Sequence, residues 1–93
     1  MLNSAVAVFI SVEEGQPVSA VESIQKLFEL THKEAQLALC LTNGRSLQEA
    51  AVELGITLNT ARAHLRSTFS KTGIDRQVTL VRTILRSVAQ LSG

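Results

Sequence analysis

Hydrophobic positions along this chain recur at two different periods. Residues 5–12, AVAVFISV, form an apolar, partly β-branched run, the pattern of a short strand covered on both faces. Gly15 and Pro17 then interrupt the chain, and from Val21 onward the spacing is helical. Val21, Ile24, Leu27 and Phe28 share one face of a first helix. Ala35, Ala38, Leu39, Cys40 and Leu41 mark a second, Leu47, Ala50, Ala51 and Leu54 a third, and Leu58, Ala61, Leu65 and Phe69 a fourth. A fifth runs to about Leu91 and carries two apolar stripes, Val78-Val81-Leu85-Val88 and Leu80-Ile84-Leu91. A small monomer needs one stripe per helix for its own core, so the second predicts a partner surface.

The punctuation agrees with the periods. Ser19-x-x-Glu22, Thr31-x-x-Glu34 and Ser46-x-x-Glu49 are capping boxes, in which a hydroxyl and a carboxylate satisfy each other's backbone N–H groups. Thr57 suits the cap of the fourth helix and Asp75 that of the fifth, while Gly44, Gly55 and Gly73 stand where helices stop in the left-handed conformation. The fold class expected is all-α, a small helix-turn-helix bundle of four to five helices with a short orphan N-terminal strand. The boundary falls between residues 1–18, strand and linker, and residues 19–93, the helical domain. A lone strand leaves its ladder groups unpaired, so 5–12 needs either a missing neighbour or a second copy of itself.

The third and fourth helices form the informative pair. A short helix, a tight Gly55-Ile56-Thr57 turn and a longer helix over about 58–72 make the layout whose second helix enters the DNA major groove. At about 100° per residue, Ala61, Leu65 and Phe69 face inward while Asn59, Ala63, Arg66 and Ser70 fall opposite, with Arg62 beside them. Arginines next to small residues suit a groove, where a guanidinium pairs with guanine O6 and N7. Thr57 and Thr60, with free N–H groups at a helix start, suit a phosphate.

Charge sharpens that picture. The 93 residues carry a net charge of only +1. Residues 1–56, however, hold three Lys or Arg against seven Glu, a balance of −4, and residues 57–93 hold six against Asp75 alone, a balance of +5. The basic half contains the proposed reading helix. Three Phe and no Tyr or Trp leave little for stacking of single-stranded bases. One cysteine excludes a disulfide framework, and no run reaches the roughly 18 apolar residues of a membrane span. The expectation is a cytoplasmic protein without cofactor, metal or membrane attachment. Cys40 reads as a small core residue, His32 as solvated and His64 as packed beside the reading helix or touching phosphate. Arg45 beside Ser46 reads as a solvated loop charge or a phosphate contact, Arg82 and Arg86 as an i,i+4 pair either solvated or on phosphate, and Glu34 as a cap that also pairs with a basic residue such as Arg76. No nucleophile, base and oxyanion donors come together, so catalysis is not expected.

The stretch LTHKEAQLALCLTNGRSLQEAAVELGITLNTARAHLRSTFSKTGIDRQVTL resembles the LuxR-type (NarL/FixJ-type) C-terminal DNA-binding domain. Leu30-Thr31-x-x-Glu34, Gly44, Ser46-x-x-Glu49-x-Ala51, Leu54-Gly55-Ile56-Thr57, Thr60-x-Arg62-x-His64 and Lys71-x-Gly73-x-x-Arg76 carry the likeness, over about residues 30–88. The KTGIDRQ ending is similar to the branch of that family ending in KTG…RQ. The resemblance implies a four-helix domain that binds double-stranded DNA and forms a homodimer through its last helix. It maps base contacts onto Arg62, Ala63 and Arg66, which Asn59 joins from the helical wheel, and phosphate contacts onto Ser46, Thr57, Thr60 and Lys71. The dimer surface expected is Val81, Ile84, Leu85 and Val88. Ala50 and Ala61 stand where the family usually has Ile and Val, which predicts a thinner core there. LuxR-type domains usually follow a sensor domain, so residues 1–18 read as the remnant of one. Two other functions share the layout: sigma-factor-like promoter recognition, and a protein-docking or dimerisation module without DNA binding. The first needs polymerase-binding regions, and retention of Arg62, Arg66 and Lys71 argues against the second.

Overall fold

A helix start leaves backbone N–H groups unpaired, and four of the five helices among the described residues begin behind a hydroxyl that takes one of them over. Helices α1 (Ala20–Phe28), α2 (His32–Thr42) and α3 (Leu47–Leu54) follow Ser19, Thr31 and Ser46, each in a complete capping box. In front of α4 (Leu58–Thr72), the Thr57 hydroxyl accepts from the Thr60 N–H at 3.1 Å. The computed structural model describes residues 19–92, so the strand expected over 5–12 and the linker through 18 lie outside the described residues. Helix α5 (Gln77–Ser92) begins later than expected. Arg76, not Asp75, holds its cap position, with the Arg76 carbonyl accepting from the Leu80 N–H at 3.0 Å. Ile74, partly buried, packs against the core, and residues 74–76 are non-helical before α5 starts.

Helix α2 organises the bundle, packing against each of the other four helices. Its Ala35 and Ala38 join Ile24, Leu30, Leu80, Ile84 and Val88 in one buried cluster. Its Leu37, Cys40 and Leu41 join Ala50, Ala51 and Ala61 in a second. Leu65 of α4 packs against both. Burial on two sides explains why the apolar residues of α2 spread around the helix instead of forming one stripe. On the α3–α4 side of the second cluster, Ala50, Ala51 and Ala61 are all buried.

The two stripes of α5 are divided differently from the sequence reading. Leu80, Ile84 and Val88 turn into the first cluster. Ile84 and Val88, expected at a dimer surface, are 1 % and 4 % exposed and pack within the protomer's own core. Val81 and Leu85 are half-buried, and Val78 is 67 % exposed. The Val78-Val81-Leu85-Val88 stripe therefore winds from solvent into the core.

Candidate nucleic-acid interface

The turn between α3 and α4 is fixed twice. Gly55, with φ of 71°, allows the Ile56 N–H to reach the Ala51 carbonyl at 3.0 Å and the Gly55 N–H to reach Val52 at 3.2 Å. Ile56 then packs against the second cluster, and Thr57 caps the next helix. Backbone and side chain together set the angle at which α4 leaves the bundle.

Helix α4 buries Ala61 and Thr68 on one side. Asn59, Arg62, Ala63, Arg66 and Ser70 are exposed on the other, within an arc of about 100°. All four residues expected to contact bases thus stand in solvent on one face. No acidic residue lies anywhere in LNTARAHLRSTFSKT, so nothing on the helix neutralises its arginines. At the start of α4, the Thr57 hydroxyl donates to Thr60 Oγ1 at 2.9 Å. Both threonines are exposed beside the first-turn N–H groups, an arrangement that suits a phosphate oxygen. Ser46, also exposed, accepts the Glu49 N–H at 3.0 Å and keeps its own O–H to donate. Its neighbour Arg45 is tied to Glu53 at 2.6 Å.

Lys71 sits differently. Its Nζ donates to Glu34 Oε1 at 2.8 Å, so Glu34 pairs with Lys71 and not with Arg76. The same carboxylate oxygen accepts the Thr31 N–H at 2.8 Å. Burial pushes the Glu34 carboxyl up, but hydrogen bonds from Lys71, Ser67 and the Thr31 backbone outweigh it and hold the pKa at about 2. Lys71 remains 38 % exposed, with donors left over for a phosphate, but it lies around the helix from Arg62 and Arg66.

Thr68 escaped the hydrophobic pattern because it is polar, yet it is 1 % exposed. Its hydroxyl donates to the His64 carbonyl at 2.8 Å, which satisfies it inside the core. Cys40 is buried, and burial, with Glu53 nearby, raises its thiol pKa, so it is held as the unreactive thiol. His32 accompanies Gln25 at 3.3 Å, and His64 is half-buried. Among the described residues, no group of three or more His, Cys, Asp or Glu is placed to hold a metal ion. No helix among them is long and apolar enough to cross a membrane.

Comparison with known proteins gives one finding. A family model described as bacterial regulatory proteins, luxR family, matches residues 29–84. That span runs from the end of α1 to the middle of α5 and contains the whole α3–turn–α4 unit. No curated protein and no solved structure matches the chain significantly.

Proposed function

We propose that this chain, which belongs to the luxR family of bacterial regulatory proteins, binds double-stranded DNA sequence-specifically as the output domain of a transcription regulator. The exposed, acid-free face of α4 behind a rigid turn carries the reading. Arg62 and Arg66 read guanine edges in the major groove, and Ala63 lets the helix approach closely or meets a thymine methyl. Thr57, Thr60 and Ser46 set the register on phosphates, with Lys71 contributing a partly neutralised charge. A homodimer through the outer edge of α5 places two copies of α4 on an inverted repeat. An upstream sensor domain in the full-length protein supplies the signal.

Fluorescence anisotropy on duplex DNA selected from random sequence tests this. Wild type and Arg62→Ala/Arg66→Ala are compared across a salt series. Both side chains are exposed, so the double variant keeps its fold. The expected result is a steep salt dependence and a loss of about 1–3 kcal/mol per arginine. Binding indifferent to both arginines would sink the proposal.

A further inference from the structure

Asn59 and Arg62 lie one turn apart on the exposed face of α4, and Arg62 Nη1 donates to Asn59 Oδ1 at 3.4 Å. Side chains on a helix lean toward its N-terminus, so Arg62 extends over the turn that carries Asn59. We propose that Asn59 is a positioning residue, holding the Arg62 guanidinium for a guanine instead of reading a base itself. This inference rests on the reading of α4 as the groove-entering helix.

The donor arithmetic favours it. Guanidinium has five N–H donors in a fixed fork. With Nη1 turned to Asn59, the edge formed by Nε and Nη2 keeps two parallel donors for guanine O6 and N7. An asparagine that reads adenine must aim both its carbonyl oxygen and its amide nitrogen at the base. Here the carbonyl oxygen faces Arg62, which turns the amide away from that pose. Arg62 also borders an apolar hollow with Leu65, Arg66 and Phe69, so its stem has a surface to lie along while its head is held. Arg66 borders the same hollow, but the residue three before it is Ala63, which offers no side-chain acceptor. The two arginines therefore differ: one is pre-set and the other is free to adapt. The base pair under Arg62 should be the more stringently read.

The test uses the whole chain, a selected duplex and its complete set of single base-pair substitutions. Wild type, Asn59→Ala, Arg62→Ala, the double variant and Asn59→Asp are compared. Asn59→Ala should lower discrimination at the guanine that Arg62 reads, by up to about tenfold, the order expected from freeing an arginine side chain. Other positions should keep their wild-type preferences. In the Arg62→Ala background, Asn59→Ala should change nothing further. Asn59→Asp keeps the acceptor and suits the first turn of a helix, so it should restore the base preference while weakening affinity evenly along the site. Loss of preference at a different base pair in Asn59→Ala, or losses that multiply in the double variant, would show direct reading and overturn the proposal. If Arg62→Ala leaves binding unaltered while wild type binds, the groove reading itself fails and takes this inference with it.

Discussion

At the scale of single residues, Glu34 does most to join one part of the chain to another. It closes the capping box of α2 and accepts from Lys71, 37 positions away at the far end of α4. Its carboxyl, ordinarily at 4.5, is held at about 2 in the folded chain. A depressed carboxylate contributes stability that is complete above its unfolded pKa and is lost as pH falls through the folded one. Acid should therefore destabilise this protein between about pH 4.5 and 2, and Glu34→Gln should flatten that limb of a chemical-denaturation series. An unchanged acid limb in Glu34→Gln would place the acid sensitivity elsewhere. The capping box was legible because both partners lie within four residues. The ion-pair partner was not, since sequence spacing cannot say which of several basic residues the fold brings back. A second pair of changes separates strain from space. Gly55 needs its positive φ for the turn, and a Cβ there would meet nothing within 4 Å. Gly55→Ala should thus cost about 1–2 kcal/mol from backbone strain alone, and Gly55→Asn less. Glu29, at φ of 56°, carries that strain already, so Glu29→Gly should raise the melting temperature despite its greater unfolded-state entropy.

At the scale of elements, the contact between α3 and α4 depends on small side chains. Ala50 and Ala61 are completely buried in the cluster that seats α4. Ala61→Leu should destabilise by about 1–3 kcal/mol through overpacking and should also weaken DNA binding, because α4 is displaced as a unit. Thermal denaturation and anisotropy check the two effects together; a stable variant with normal affinity would show that the contact has slack. Four of the five helix starts among the described residues were legible because a hydroxyl and an N–H three residues on form a local pattern. The start of α5 was not, since Asp75 offered a capping residue while the fold packs the partly buried Ile74 against the core and starts the helix at Gln77. The stripes of α5 were visible as stripes, but which one faces inward depends on where α1 and α2 stand. Leu80, Ile84 and Val88 meet the cluster built around Ile24 and Ala38, and that leaves Val78 outside. The exposed arginine face of α4 was legible for a simpler reason: a helix that shows arginines to solvent on one side and alanine to a core on the other carries its orientation in its own periodicity.

At the scale of the whole molecule, the proposed reading of an inverted repeat requires two copies of α4 to act together. The outer edge of α5 offers Val78, with Val81 and Leu85 half-buried behind it and the exposed Arg82 one turn along. That is a narrow apolar strip, far smaller than the roughly 1,200 Å² of a stable interface. Two such strips meeting across a two-fold axis also bring Arg82 near its own copy, a repulsion that DNA phosphates would offset. The described domain is therefore expected to stay monomeric in solution at micromolar concentration and to pair on duplexes carrying two half-sites about one helical turn apart. Val78→Asp isolates the pairing step, because a side chain this exposed contributes little to the fold. Its melting temperature should match wild type, and its affinity for a single half-site should be unchanged. Its affinity for the two-half-site duplex should fall by about tenfold or more, since burying one valine per protomer is worth about 1.5 kcal/mol or more. Anisotropy on the two duplexes, with sedimentation of the free protein, measures each part. Equal binding of Val78→Asp and wild type to the two-half-site duplex would move the pairing surface away from α5.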